Sequence, residues 1–584
     1  MSVFGSRKDT LVKVIPFLAA LVVACVFVGP VLAADAGKAP AAEVGHRLVF
    51  IRRNLSEDRH VAEIRSLVER SARLGFNGIV LSGGFDSIGS RPPEYFDRLR
   101  RVKAVCEEHG MELIPLGFSV GYAGGALSQD PNLAAALPVK DVPLVLEKGR
   151  GVLVRDPAVV IANGGFEEFD GERARGFDLQ DGPGVLSRVD TTVRKGGNAS
   201  LRFEGFSKAE GGRGRVMQKV GVRPFRCYQV TMWVKTEGLV PASRFQVSVL
   251  AAEKRVLMTW RPSLDQTGDW RKVTFGFNSL SYEEVLVYAG VWNGPSGRFW
   301  IDELRIEEVG ILNAVRRVGT PVVVKNAVTG ATYAEGRDYE RIEDPELSFK
   351  FDHAGPALAA VRGGNLHDGD RLTLSYYQGL AIRAGGAQTS VCMSEHRLYE
   401  IWSEAVRLIQ ETISPRYYFL SMDEIRQGGW CESCVGRGLT AGEILGDCVT
   451  RLAGIIKRAN PGAEIIVWSD MLDPNHNAKK DYYLFNGDFS GSWNHIPKDV
   501  IIACWNYKTR DESLRHFDGA GFRTLGCGYY DMDSVNAAKD WGSSLAKTPG
   551  AWGIMYTTWE DQYDFLDKFA ARTFGARKDS TGKP

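Results

Sequence analysis

From His46 onward the chain alternates short apolar runs with longer amphipathic ones. RLVFIRRN, GIVLSGG and MELIPLGFSVG have the length of strands, and helical patterns fill 58–74 and 92–108 between them. Apolar runs of strand length interleaved with helices predict βαβ units and a parallel sheet. The alternation lapses after the third strand and resumes near Thr389 with a helix over 395–412. YYFLSMDE, a helix over 441–459, EIIVWSDM, VIIACWNY, FRTLGCGYYD and AWGIMYTTWE follow. Three strands and then five make the eight that close a (β/α)8 barrel, so the fold class is α/β, a TIM barrel whose third loop carries an insertion.

The insertion is β-rich. Over 156–309 short alternating strands (SLRFEG, YQVTMWVKT, FQVSVLA, RKVTFGFN, EVLVYAGV, FWIDELRIEE) are separated by Gly, Pro and Asn turns, which predicts an antiparallel β-sandwich. Residues 310–385 read as a second small β domain that returns the chain to the barrel. The barrel then consists of 46–155 (strands 1–3) and 386–572 (strands 4–8), with 573–584 as a tail.

Composition narrows the partners. Lys and Arg total 72 against 71 Asp and Glu, so the chain lacks the basic footprint of a nucleic-acid binder. Thirteen Trp and 19 Tyr point instead to flat, apolar ligands as well as to core. At the N-terminus Arg7, Lys8 and Lys13 precede the apolar run IPFLAALVVACVFVGPVLA and the small-residue stretch AADAGKA, the layout of a secretory signal over 1–34. The expected location is extracytoplasmic, secreted or periplasmic, without stable membrane association after cleavage. An uncleaved anchor and a lipobox at Cys25 are the alternatives. Cys106, Cys448, Cys504 and Cys527 fall inside helix or strand patterns and read as buried thiols. Cys431 and Cys434 form the one CxxC; a zinc site needs about four ligands, so a local disulfide or two free thiols is the expectation there. His396, His476 and His516 read as structural or surface residues.

The chemistry lies where strands finish. Tyr417 to Arg426 reads YYFLSMDEIR, a strand ending in Asp423 and Glu424, and further carboxylates and aromatics end the later strands. In such barrels the active site is built at strand C-termini. Adjacent residues on a regular strand face opposite ways, so both carboxylates can meet a substrate only if the strand stops and the backbone turns. Cleavage of a glycosidic bond needs an acid at the leaving oxygen and a nucleophile or base at the anomeric carbon, a task two carboxylates perform.

Over 46–120 and 389–572 these strand ends resemble the family 20 glycoside hydrolases, the β-N-acetylhexosaminidases. The resemblance implies Glu424 as general acid and Asp423 as the residue orienting the substrate's own 2-acetamido group, which attacks the anomeric carbon in a retaining reaction. It implies a sugar-binding Arg at Arg52 or Arg53, a fifth-strand Trp468-Ser469-Asp470, a sixth-strand Trp505 and a seventh-strand Tyr529-Tyr530-Asp531, with Tyr529 donating to the acetamido oxygen. The eighth strand offers Trp559-Glu560-Asp561. Trp468, Trp505 and Trp559 would wall the acetamido pocket, while Asp470, Asp531, Glu560 and Asp561 would serve substrate binding. The chain departs from the family where Phe419-Leu420-Ser421-Met422 replaces His-x-Gly-Gly before the acid pair, and where the third strand lacks Pro-Gly-His. The sandwich resembles jelly-roll carbohydrate-binding modules, which implies a glycan partner and a structural calcium near Glu167 and Asp302; no cofactor is expected in catalysis. Two other functions fit the same residues: a glycosidase using Glu424 as acid with Asp470 or Glu560 as nucleophile on a sugar without an acetamido group, and a carbohydrate-binding surface protein without activity.

Overall fold

The computed structural model describes residues 44–382, 388–532 and 534–575. The signal segment, Cys25 and most of the tail lie outside them. No helix among the described residues is long and apolar enough to cross a membrane.

Eight parallel strands close into one barrel: β1 (His46–Arg52), β2 (Gly78–Ser82), β3 (Glu112–Gly117), β4 (Tyr417–Leu420), β5 (Glu464–Trp468), β6 (Ile501–Cys504), β7 (Arg523–Tyr530) and β8 (Ala551–Thr557). Closure is made by β1 against β8, with Leu48 opposite Met555. Around it run α1 (Asp58–Arg73), α2 (Pro93–Glu108), α3 (His396–Ile413), α4 (Ala441–Ala459), α5 (Arg510–Gly519), α6 (Asn536–Leu545) and α7 (Leu566–Thr573). A capping box starts α4: Thr440 Oγ1 accepts from the Glu443 amide while Glu443 Oε2 accepts from the Thr440 amide. The connection from β5 to β6 holds the 3-10 turns Asp470–Leu472 and Ser492–Asn494 and the short strand Leu484–Phe485, paired with Gln427–Gly428, so this stretch is a long mouth loop rather than a helix.

Alternate strand residues face inward and fill the barrel with side chains, among them Leu48, Phe50, Ile114, Phe419, Ile466, Trp468, Leu525, Cys527 and Met555. The opposite faces pack against the helices in a second core. Because both faces of a parallel strand are buried, its sequence is apolar throughout, and this is why the strands stand out in the chain.

The insertion begins earlier than the boundary at 155 expected from sequence. Ala136–Glu147 and Arg150–Leu153 do not belong to the barrel half. They join Arg371–Gly379, Val323–Asn326 and Thr332–Tyr333 in a five-stranded antiparallel sheet, with Gly379 opposite Ala136 and Arg371 opposite Val145. The small β domain is thus built from both ends of the insertion, and pairing its entry with its exit lets a large module hang from one barrel loop. The sandwich has two five-stranded antiparallel sheets. One runs Gly268–Asn278, Cys227–Val240, Ser296–Val309, Ser200–Glu204 and Ser187–Asp190; the other runs Val256–Trp260, Phe245–Ala251, Glu284–Val291, Gly214–Gly221 and Leu179–Gln180. Sandwich and small domain share one apolar core. Arg255 docks the sandwich on the β5–β6 loop, donating to the carbonyls of Tyr483 at 2.5 Å and Phe485 at 2.9 Å. Glu167 and Asp302 meet around the loop at 195–199, where Glu167 accepts from the Asn198 amide and Asp302 from the amides of Lys195 and Gly196.

Candidate active site

β4 leaves the sheet at Leu420, and four residues later Glu424 turns the chain with φ 48°, in the left-handed region. The strand does end where two adjacent carboxyls need it to, and both are part-exposed at the C-terminal end of the barrel. Three contacts hold the turn. The Glu424 amide donates to Asp470 Oδ2 at 2.8 Å, and its carbonyl accepts from Gln388 Nε2 at 3.3 Å. Gly121, in the loop after β3, lies so close that a methyl group there would run into the Asp423 carbonyl oxygen. The close backbone approach beside the acid pair therefore rests on a glycine from the neighbouring strand's loop, since the fourth strand carries none before the pair.

Charge is distributed unevenly over the pair. Glu424 Oε1 sits 2.7 Å from Arg426 Nη2, and its Oε2 accepts from the Tyr122 hydroxyl. Arg426 is 4% exposed, lies 4.8 Å over the Tyr483 ring, and has no hydrogen-bond partner for Nε or Nη1 among the described residues. Burial works against its charge, but Glu424 outweighs this and holds the guanidinium more firmly protonated than usual. Asp423 behaves in the opposite way. Burial pushes its carboxyl up to about 6, against the Ser421 hydroxyl that donates to it at 2.8 Å. Asp470 has no exposed surface and is raised well above the carboxylate range, by burial first and by Asp423 next. An Asp470 so enclosed touches no solvent, so its part is to hold the Glu424 amide and the Trp505 indole (3.5 Å) rather than to bind substrate.

Aromatic rings form the walls. Trp505 stacks on Tyr530 with centroids 5.1 Å apart, and His476 meets Trp505 edge-on at 4.5 Å. Trp559 packs over Phe50 at 4.6 Å. Trp468, expected as a third wall, is 1% exposed inside the barrel against Phe419. The alternation that faces Ile466 inward also faces Trp468 inward, below the mouth rather than around it.

Tyr529 is a second correction. The pairing of β7 with β8 shifts register between Cys527 and Tyr529, a bulge that reverses the side-chain alternation. Cys527 faces the barrel interior, but Tyr529 turns to the outer core, stacks on Tyr556 and donates to the Met532 carbonyl at 2.8 Å. Tyr530 takes the inward place.

The remaining strand-end residues build loops. Asp531, with φ 49°, accepts from the Thr558 hydroxyl and the Trp559 amide, each at 2.5 Å, and so ties the end of β7 to the loop after β8. Asp561 pairs with Arg53 at 2.8 Å, and Arg53 also binds Glu63. Arg52 shares the inward register of Leu48 and Phe50 and is exposed at the strand's end, so of the two arginines it is the one toward the mouth. Glu560 is exposed. Trp430 donates to the Leu484 carbonyl and meets Phe225 of the insertion. Tyr122 and Tyr530 are mouth residues that sequence reasoning passed over, and His476, read there as structural or surface, packs on the Trp505 wall. Tyr530 stood beside a better motif match, and Tyr122 lies in a loop without any motif. Among the described residues the donor group suited to a metal is Cys392, Cys431 and Cys434, not the mouth carboxyls.

The molecule is thus a (β/α)8 barrel with a carboxyl and aromatic site at its C-terminal mouth and an inserted β-sandwich. Neither a family model nor a curated protein matches the chain. Among solved structures it is similar to a chitobiase of Flavobacterium johnsoniae, at 8% identity over 92% of this chain and 48% of that one, with a TM-score of 0.38. It is also similar to a β-N-acetylhexosaminidase of Bacteroides fragilis, at 9% identity over 93% of this chain and 67% of that one, with a TM-score of 0.36. A xylan-binding domain of Paenibacillus barcinonensis matches 27% of this chain with 98% of its own length, at 19% identity and a TM-score of 0.20. The chain spans about half the length of the chitobiase.

Proposed function

We propose that the barrel mouth is the active site of an exported glycoside hydrolase acting on β-linked N-acetylhexosamine, with the sugar's acetamido oxygen attacking the anomeric carbon. The observation that carries this reading is the part-exposed pair Asp423 and Glu424 beside the stacked rings of Trp505 and Tyr530, with Trp559 over the barrel core. Rings of this kind take the apolar faces of a sugar and its acetamido methyl. Asp423, steadied by Ser421, orients the acetamido N–H, and Glu424 gives its proton to the leaving oxygen. Glu424 Oε1 is engaged by the Arg426 guanidinium at 2.7 Å, so substrate entry has to loosen that pair before Glu424 can serve as the acid. The inserted sandwich holds glycan near the mouth.

The same ion pair favours a second reading. Glu424, ion-paired with Arg426, is the nucleophile or base, and Asp423, protonated up to about 6, is the acid, on a sugar without an acetamido group. Aryl β-N-acetylglucosaminide and galactosaminide, tested beside the plain aryl glucoside and galactoside, separate the two. Cleavage confined to the acetamido sugars supports the first reading, and cleavage of the plain glycosides supports the second. Inactivity on all four and on polymeric glycans refutes both. An activated aryl leaving group needs no proton, so it restores the variant that lacks the acid: Glu424→Gln in the first case, Asp423→Asn in the second.

A further inference from the structure

Cys431 and Cys434 do not form a disulfide, and a third cysteine joins them. Cys392, from the segment before α3, brings its sulfur 3.6 Å from that of Cys431 and 3.5 Å from that of Cys434, which are themselves 3.6 Å apart. The three are 3%, 2% and 4% exposed. A disulfide needs sulfurs at ~2.05 Å, so none is made here. A tetrahedral thiolate site with ~2.3 Å metal–sulfur bonds has edges of about 3.8 Å. The observed triangle is slightly tighter and would seat such an ion roughly 1 Å above its plane without any backbone movement.

Thiols packed by contact alone could reach these distances, but the surroundings carry a second observation. Arg317 is buried against the trio, with a side chain 8% exposed and Nη2 without a hydrogen-bond partner among the described residues; its Nε pairs with Glu395 at 2.9 Å. Glu395 is already one counter-ion for this guanidinium, and three thiolates around a divalent ion leave one further net negative charge that its free Nη2 faces. Ser394 Oγ lies 3.3 Å from the Cys434 sulfur.

We propose that Cys392, Cys431 and Cys434 form a structural site for a thiophilic divalent cation of the zinc class, its fourth ligand an oxygen from Ser394 or from a water that Ser394 holds. The site does not depend on the sugar reading. It joins the loop that follows Asp423 and Glu424 to the segment whose Gln388 binds the Glu424 carbonyl, so the ion fixes both sides of the acid pair.

The test is the metal content of the purified full chain kept reduced. About one zinc per chain is expected, lost in Cys392→Ser and in Cys434→Ser and retained in Cys106→Ser, a buried cysteine on α2. Cobalt(II) in its place is expected to show a thiolate charge-transfer band in the wild type that is absent in Cys392→Ser. A reduced wild-type chain with intact circular dichroism that takes neither zinc nor cobalt from a chromophoric chelator overturns the site. So does a Cys431–Cys434 disulfide found by mass spectrometry in the exported protein. Because the wild type itself is measured, a variant that fails to fold does not decide the matter.

Discussion

Asp423→Asn is predicted to stabilise the protein at neutral pH while removing its activity. The carboxyl's folded value of about 6 stands roughly two units above the 3.8 of a free aspartate. Each unit is ~1.4 kcal/mol between protonation states, so the ionised group costs the folded state up to about 3 kcal/mol. Partial exposure of the residue brings the expected figure to about 1–3 kcal/mol. The sign follows from which state releases its proton first. Below pH 4 the group is protonated in both states and contributes nothing. Between about 4 and 6 the unfolded chain ionises first, so the folded state loses ground as pH rises, and above about 6 the whole penalty applies. Asparagine never ionises and still offers an oxygen to the Ser421 hydroxyl, which now donates at 2.8 Å. Urea or thermal midpoints of variant and parent should therefore coincide near pH 4 and separate in the variant's favour by pH 7. A gap that is constant with pH, or that favours the parent at pH 7, would sink the assignment of Asp423 as the buried, proton-holding carboxyl.

The two tyrosines of β7 should divide function from stability. Tyr530→Phe is expected to lower kcat/KM by tenfold or more with an unchanged melting point, while Tyr529→Phe loses the bond to the Met532 carbonyl, costs ~1 kcal/mol and leaves kcat/KM within about twofold; a reversed pattern in steady-state kinetics and melting refutes the bulge assignment. Gly121→Ala should displace the Asp423 backbone and reduce activity at least tenfold in a chain whose circular dichroism is unchanged, and wild-type rates in that variant would show the close approach to be irrelevant. Arg255→Ala removes the donors to the Tyr483 and Phe485 carbonyls; limited proteolysis should then cut the β5–β6 loop faster, with small-substrate rates changed less than polymer rates.

The barrel was legible because parallel strands are apolar on both faces. RLVFIR and EIIVW could be nothing else. The sequence hid whatever depends on pairing between distant segments. Alternation alone puts Tyr529 on the side of Cys527, and only the register slip against β8 reverses it. The run from Ala136 to Leu146 has strand composition, but its partner lies beyond the whole sandwich, at Arg371–Gly379. Cys392 is likewise separated from Cys431 by all of α3 and β4, so the CxxC looked two ligands short when a third thiol was only a fold away. Arg426 stood in plain view two residues from Glu424, but its pairing with that carboxyl depends on the left-handed turn between them.

That turn is one of several. Leu55, Phe118, Glu424, Asp531 and Asp561 all adopt positive φ, and each follows a barrel strand at its C-terminal end. Side chains other than glycine in this region cost roughly 1–3 kcal/mol each, and they persist only where neighbouring contacts fix them. Those contacts are present and specific. Asp470 and Gln388 hold Glu424, Thr558 and the Trp559 amide hold Asp531, and Arg53 holds Asp561. Each clamp connects one strand's end to another's, so the strain at one position is borne by a neighbouring loop and no single loop sets the mouth. The site proposed above, which has to place a proton donor and an orienting carboxyl against one small group, gains from this arrangement. The carboxyls are positioned before the substrate arrives, and the cost of holding them is met during folding rather than during the reaction.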